Sequence, residues 1–333
     1  MNIEYVDICV GLSWGDEGKG KIVSQLSNQY DFVCRWSGGN NAGHTIYVNG
    51  KKYATHLIPS GVFHGVPSII GPGCVVHKES FFKEIEYLQK NGFDTSLVKI
   101  SPKTHIITDE HIEEDIQKYN KTIGTTAKGI GICYSDKYAR KGIRIMDRKE
   151  DFKGYIWNEQ LYGKILCEGA QGFWLDIDYG NYPYVTSSSC LPYSACNLGF
   201  PPQKIRKIFG AAKMYDTRVG KDPDFPDDLF CNQELLTIAK EGHEYGTTTN
   251  RPRLVNYLNL DKLITAVKIS GTTDLIISKV DILKKTNIFR YYYQDKLYSA
   301  LSIEEMKRIV ENILYNCSGL LKNITFSSNP EQI

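Results

Sequence analysis

Short apolar runs recur along the chain, and several of them are followed by segments whose apolar residues have helical spacing. The runs lie at residues 6–10, 31–34, 68–70, 97–100, 164–167, 207–210 and 274–277. Alternation of apolar strands with amphipathic helices is typical of βα units around a parallel sheet. The pattern therefore predicts an α/β fold with a large, mostly parallel central sheet flanked by helices.

Two helices carry clear terminal signals. Residues 80–91 place apolar side chains on one face, and Gly92 follows as a terminator. Residues 303–316 have the same stripe behind Ser302 and Glu305, which together predict a capping box. These stripes are expected to face the core and to carry no function.

An antiparallel hairpin is predicted as an addition to the sheet. Alternating segments at 45–48 and 51–55 flank Asn49-Gly50, which is a strong signal for a two-residue hairpin turn. No internal repeat, low-complexity tract or linker-like stretch divides the sequence. Residues 1–333 are therefore predicted to form one elaborated domain.

Composition narrows the class of partner. The 333 residues include 40 basic and 38 acidic side chains, for a net charge of +2. This balance predicts no polyanion-binding surface, so no nucleic-acid partner is expected. No run has the length of a membrane span, and the nine cysteines are scattered without a C-x-x-C pair. We expect a cytoplasmic enzyme with reduced thiols and no membrane partner.

The glycine-rich stretch 11–21 carries the most specific chemistry. It predicts a strand, a tight loop and a helix, an arrangement whose backbone N–H groups converge on an anion. Residues 15–21 fit the G-x-x-x-x-G-K part of a P-loop, but Ile22 stands where a hydroxyl residue would bind magnesium. Asp16 is therefore a candidate both for holding the metal and for chemistry. The alternative is a turn whose glycines serve only close packing.

Two further polar loops add candidates. His44 can donate to a developing oxyanion, and Asn41 can contact an amide-like ring edge. Thr125 and Thr126 are neutral donors suited to a phosphate, and Arg140 adds positive charge. The alternatives are a turn with a surface histidine and a solvated basic segment.

The remaining candidates lie in the second half of the chain. Gln171, in a glycine-rich loop that follows an apolar run, can match a purine edge. Arg251 and Arg253, two residues apart in a hydroxyl-rich loop, can form a carboxylate fork. Asp281 can accept hydrogen bonds from two donors of guanine, and the aliphatic stem of Lys279 can cover a base.

Taken together and in order, these segments resemble the adenylosuccinate synthetase family. The blocks that carry the resemblance lie at 11–21, 41–45, 168–172, 176–187, 217–220 and 278–281. They span most of the chain and resemble the short form found in some archaea and bacteriophages. The resemblance implies a P-loop-like GTP-binding enzyme fold and a ligase reaction: IMP, L-aspartate and GTP give adenylosuccinate, GDP and phosphate, with Mg²⁺, through a 6-phosphoryl intermediate.

The resemblance also implies residue roles. Asp16 would remove the proton from purine N1, His44 would stabilise the 6-oxygen, and Gln171 would complete the catalytic set. Asp16 and the Gly43 carbonyl would hold the metal. The positions expected at GTP are Gly15, Glu17, Gly18, Lys19, Gly20, Lys21, Gly43, Thr45, Arg253, Lys279 and Asp281. Those expected at the purine monophosphate are Asn41, Thr125, Thr126, Arg140, Gln171 and Thr186, and those at L-aspartate are Thr248, Thr249 and Arg251. Arg140 would reach the site of a neighbouring subunit, which implies a homodimer.

Departures from the family pattern leave the acceptor open. Ser13 replaces a usual glutamine, Pro252 interrupts the arginine loop, and the segment 187–200 is altered. A bacteriophage branch of the family uses dGMP, with ATP or GTP, to make a precursor of diaminopurine DNA. The presence of Asp16 favours IMP, whereas Ser13 and the altered segment favour dGMP.

Two other classes of protein are weaker alternatives. A regulatory GTP-binding switch would share a phosphate loop and a Lys-x-Asp base reader, but it explains neither His44 nor the two arginines of the 246–253 loop. A dinucleotide oxidoreductase would need a G-x-G-x-x-G at the first helix, which this sequence lacks.

Overall fold

The computed structural model describes residues 2–245, 252–329 and 333. The strands are β1 Ile3–Gly11, β2 Phe32–Arg35, β3 His44–Val48, β4 Lys51–Thr55, β5 Ser68–Ile70, β6 Val75–His77, β7 Val98–Ile100, β8 His105–Ile107, β9 Gly163–Glu168, β10 Ile205–Lys213, β11 Tyr215–Arg218, β12 Leu254–Asn259, β13 Asp274–Ser278, β14 Arg290–Tyr293, β15 Lys296–Ser299 and β16 Asn323–Phe326. The α-helices are α1 Lys19–Leu26, α2 Lys78–Lys90, α3 Asp109–Lys118, α4 Asn120–Ile123, α5 Ile130–Tyr138, α6 Gln233–Glu241, α7 Leu260–Ser270, α8 Val280–Thr286 and α9 Ile303–Cys317.

Eight strands form the central sheet in the order β16-β13-β10-β1-β9-β2-β5-β7. Every neighbouring pair in it is parallel. The predicted α/β fold with a large parallel sheet is therefore confirmed. Because the strands run the same way, the loops that follow β1, β9 and β13 lie at one edge of the sheet, where ligands bind in folds of this class.

The hairpin is confirmed, and additional sheet structure surrounds it. β3 and β4 pair antiparallel around Asn49 and Gly50, which both have positive φ. The sequence analysis did not predict the four-stranded sheet β11-β12-β14-β15, the β6-β8 pair or the edge strand β16. All of these strands except β12 have four residues or fewer, so their apolar patterns are weak.

The helical predictions are confirmed with adjusted ends. Ser302 accepts a hydrogen bond from the backbone N–H of Glu305 at 3.2 Å. The carboxylate of Glu305, however, accepts from the N–H of Leu301 and not from that of Ser302, so only half of the predicted box has its expected partners. α1 begins at Lys19, inside the glycine-rich motif.

The core lies against both faces of the central sheet. Its main cluster of buried side chains includes residues of β1, β9, β10 and β13 together with the apolar stripes of α7 and α9. Within the described ranges, no helix combines the length and apolarity that crossing a membrane requires. That residues 1–333 form a single domain stays a prediction.

Candidate active site

A cavity of about 1020 Å³ opens at the carboxyl edge of the central sheet. This volume is at the upper end of the range of roughly 300–1,000 Å³ found for single-ligand sites. The cavity brings together predicted site residues from six separate loops: Gly15, Asp16, Glu17, Gly18, Lys19, Gly20, Lys21, Asn41, Gly43, His44, Thr45, Thr125, Thr126, Gln171, Thr186, Arg253, Lys279 and Asp281. These residues therefore face one shared space.

The glycine-rich loop between β1 and α1, called the first loop below, is held in shape by hydrogen bonds to Glu17. Its buried carboxylate accepts from the N–H of Gly15 at 2.8 Å and from the Nζ of Lys19 at 2.6 Å. Asp16 adopts φ 60°, a left-handed conformation that is uncommon for a residue with a side chain and that concentrates at functional sites. Both residues line the cavity, and Glu17 also shapes the loop from within.

The first loop and the hairpin are in direct contact. A Cβ placed on Gly20 would lie 2.7 Å from the Cβ of His44, so only glycine allows α1 to approach β3 this closely. The contact places the N-terminal end of α1 beside the His44 imidazole.

His44 is fixed by a buried carboxylate. Its Nδ1 contacts Glu168 Oε1, and at most 5% of either side chain is exposed. Glu168 also accepts from the N–H and Oγ–H of Ser60, each at 2.7 Å. Burial acts to raise the pKa of the Glu168 carboxyl, but His44 and then the Arg35 charge outweigh it and lower that pKa to about 2. Burial lowers the pKa of the His44 imidazole, and Glu168 opposes this change. Because Nδ1 faces Glu168, the Nε2 of the ring faces away from this carboxylate.

Asp16 is paired with Arg253. The Nη2 of Arg253 lies 2.7 Å from Asp16 Oδ2, and its Nη1 contacts Glu244. Burial acts to raise the pKa of the Glu244 carboxyl, but neighbouring cations outweigh it and hold that pKa well below its usual range. Among these cations is Lys213, a buried lysine whose own pKa is lowered by burial.

Lys279 and Asp281 lie at the far end of the cavity, after β13. The Nζ of Lys279 donates to the carbonyl of Gly242 at 2.8 Å. Lys21 lies nearby, and burial lowers its pKa to about 8 against the opposing charge of Asp281. Lys21 also donates to Ser327 Oγ at 2.8 Å. The segment after β16 therefore forms part of this wall.

Gln171 and the paired threonines line another part of the cavity. Gln171 has φ 52°, and its buried Oε1 has no hydrogen-bond partner within the described part of the chain. Thr125 donates to Asp115 Oδ1 at 2.7 Å, which anchors the loop that carries Thr126. Arg140 is exposed, has φ 63° and does not line the cavity.

The altered segment after Thr186 is anchored by Asp176. Its carboxylate accepts from the N–H of Cys190 at 2.6 Å and from Ser189 Oγ at 3.0 Å. Asp176 is completely buried, so it holds the backbone of this segment. Ser13, another of the departures, donates to the buried Asp216 at 3.4 Å.

Some predictions fall outside the described residues, and some contacts had no sequence signal. Thr248, Thr249 and Arg251 lie in 246–251, outside the described ranges. The sequence analysis assigned no role to three groups that contact site residues, Glu168, Glu244 and Ser327. Glu168 stands in a quoted motif, so its position was visible although its partner was not.

Comparison with known proteins identifies the family. The family model for adenylosuccinate synthetase matches residues 8–159 and 150–325. The adenylosuccinate synthetase of Malacoplasma penetrans is 37% identical, with 92% of this chain and 85% of the relative covered. That of Listeria monocytogenes is 41% identical, with 83% and 77% covered.

Solved structures agree with the fold. The fully ligated adenylosuccinate synthetase of Plasmodium falciparum has a TM-score of 0.81 at 29% identity and covers 98% of both chains. The succinoaminodeoxyadenylate synthetase of cyanophage S-2L, bound to dGMP and dATP, has a TM-score of 0.68 at 20% identity over 95% of this chain and 100% of its own. This chain belongs to the adenylosuccinate synthetases, ligases of purine nucleotide biosynthesis that bind GTP and form a C–N bond.

Proposed function

We propose that this chain joins L-aspartate to C6 of IMP, with GTP as phosphoryl donor. The observation that carries the proposal is the cavity itself, which holds Asp16, His44 and the Lys279–Asp281 segment against one glycine-rich loop. A 6-oxopurine and a nucleoside triphosphate can meet there because the loop binds anions and the strand-terminal carboxylate accepts from guanine.

The proposed chemistry gives each of these groups one role. Asp16 accepts the proton of purine N1, and the 6-oxygen then forms a bond to the γ-phosphorus as the bond to GDP breaks. His44 donates to the 6-oxygen, with its other nitrogen held by Glu168. The amine of L-aspartate next attacks C6, and phosphate leaves. Phosphorylation is needed because an amide-like oxygen is a poor leaving group.

The contact between Arg253 and the proposed base Asp16 must change during this reaction. In the structure the Arg253 guanidinium lies 2.7 Å from Asp16 Oδ2, so it occupies an oxygen that the N1–H of the purine would need. We propose that the phosphates of GTP draw Arg253 from Asp16 and so release the base.

Members of the family use Mg²⁺ and GTP, and the residues here fit that ion. Asp16 offers a carboxylate and Gly43 a backbone carbonyl at the same cavity, and Mg²⁺ prefers such oxygen donors together with substrate phosphates. We propose that these two residues hold it. When bound, the ion would neutralise charge on the transferred phosphoryl group.

Two further features complete the proposal. Arg140 is exposed and does not line its own cavity, which supports a homodimer in which it reaches the monophosphate of the neighbouring subunit. All nine cysteines are free thiols, which supports the cytoplasm as the compartment. L-aspartate would bind through Thr248, Thr249 and Arg251.

The test is an acceptor and donor survey. Purified protein is incubated with L-aspartate, Mg²⁺ and GTP or ATP, and with IMP, dIMP, GMP or dGMP in turn, while absorbance and phosphate release are followed. We expect product only when L-aspartate and a monophosphate are both present, with IMP and GTP the fastest pair. Faster turnover of dGMP would move the assignment to the bacteriophage reaction, and GTP hydrolysis without acceptor would favour a regulatory switch.

A further inference from the structure

The buried carboxylate of Glu244 lies between Arg253, which contacts the proposed base Asp16, and Lys279, which is proposed to bind guanine. Glu244, between α6 and β12, is 2% exposed. Its carboxylate accepts from Tyr215 Oη at 2.6 Å and from Lys213 Nζ at 3.1 Å. These two buried partners fix the carboxylate from below.

The same carboxylate contacts two cations that line the cavity. Arg253 places Nη1 on Glu244 and Nη2 on Asp16, so its fork spans two carboxylates. Lys279 Nζ lies 3.5 Å from Glu244 Oε1 while it donates to the Gly242 carbonyl. The main chain adds a further link, because the N–H of Arg253 donates to the Glu244 carbonyl at 3.0 Å.

We propose that Glu244 is a positioning residue that keeps Arg253 in the site, where the donor phosphates can draw it from Asp16, and holds Lys279 at the donor base, and so couples recognition of the donor nucleotide to release of the catalytic base. The inference rests on the proposed roles of Asp16 and Lys279. Without the charge of Glu244, Lys213, Arg253 and Lys279 would lose the carboxylate that all three contact, and their mutual repulsion would displace Arg253 and Lys279.

A purely structural role makes a different prediction. If Glu244 only neutralised the buried Lys213, its loss would lower the free energy of unfolding and reduce the amount of folded protein. It would leave the ratio of GTP to ATP use unchanged. If Glu244 positions the two cations, the KM for GTP rises and kcat falls, whereas the KM for the monophosphate stays the same.

The test compares Glu244→Gln with a matched control, Glu234→Gln. Glu234 is a half-exposed acid on α6 that also pairs with an arginine, Arg290 at 3.0 Å, and a tyrosine, Tyr257, but it does not line the cavity. We expect kcat/KM for GTP to fall about 30-fold or more in Glu244→Gln, the size expected when a buried charge contact is broken. The preference for GTP over ATP should fall about fivefold or more, and Glu234→Gln should match the parent protein.

A milder variant guards against misfolding. Tyr215→Phe removes one hydrogen bond to Glu244 and keeps every charge, so it should move the GTP-to-ATP ratio in the same direction by about threefold. Calorimetric binding of GTP and ATP to each variant tests the inference without turnover. Unchanged nucleotide affinities and ratios in folded variants would overturn it. Absence of aspartate-dependent synthesis in the parent protein would overturn the proposed function alone.

Discussion

Replacement of Glu168 by glutamine tests whether the proposed donor role of His44 depends on the carboxylate that contacts its Nδ1. The carboxylate accepts from three donors, which are the His44 ring and the N–H and Oγ–H of Ser60. A carboxamide of the same shape has one acceptor oxygen and a donating NH₂ group. At least one of the three donors must therefore face another donor, or His44 must change tautomer.

The structure sets the size of the effect on stability. The pKa of Glu168 falls from 4.5 to about 2 on folding. This difference corresponds to about 3 kcal/mol of unfolding free energy for this completely buried carboxyl. Because the folded pKa is lowered, the contribution is present above pH 4.5 and is lost as the pH falls towards 2. The glutamine variant should lack this acid-dependent loss.

The effect on turnover should be larger than a general weakening would give. Without the Glu168 charge, the pKa of His44 falls further, because burial then lowers it unopposed by that carboxylate, and the imidazolium form that can donate from Nε2 is populated less. Loss of one donor to a developing oxyanion costs roughly 10²–10³-fold in kcat. We expect kcat to fall by about that factor, with the KM for GTP changed little, since no predicted GTP contact is removed.

The assay is steady-state turnover of IMP, followed by absorbance, with denaturant unfolding measured on the same preparations. Glu84→Gln is the control, because Glu84 is also a buried carboxylate that accepts from backbone N–H groups, those of Leu57 and Ile58 among them, but it does not line the cavity. A kcat for Glu168→Gln equal to that of the control would refute the assignment of His44 as a proton donor held by Glu168.

Three further variants test other contacts. Asp16→Asn should lower kcat by roughly 10²–10⁴-fold while calorimetric binding of IMP is retained, and near-normal turnover would exclude the general-base role. Asp281→Asn should reduce the kinetic preference for GTP over ATP roughly tenfold, and an unchanged ratio would mean that the base is recognised elsewhere. Burial raises the pKa of Asp216 from 3.8 to about 7, so stability is lost as the pH rises between these values. Asp216→Asn should then raise the unfolding free energy at pH 8 by as much as about 4 kcal/mol, and an unchanged pH slope of denaturant unfolding would contradict this.

The sequence determined the local structure of this protein. The Asn49-Gly50 turn, the apolar runs of the central strands and the amphipathic stripe of α9 each depend on residues close in the chain, and the structure has all three. The glycine-rich loop was also visible, because only glycine and small polar residues allow such a strand-to-helix turn. The ordered motifs then identified the family, and the comparisons confirmed it.

Only the tertiary structure decided which distant groups meet. Glu168 and His44 are 124 residues apart, and Lys21 and Ser327 are 306 apart. No local pattern states that an acid such as Glu244 will be buried among cations, because its burial depends on how separate loops converge at the sheet edge. Side-chain pairs of this kind are set by the crossing of the whole chain, since a carboxylate is stable in the core only where donors from other segments reach it.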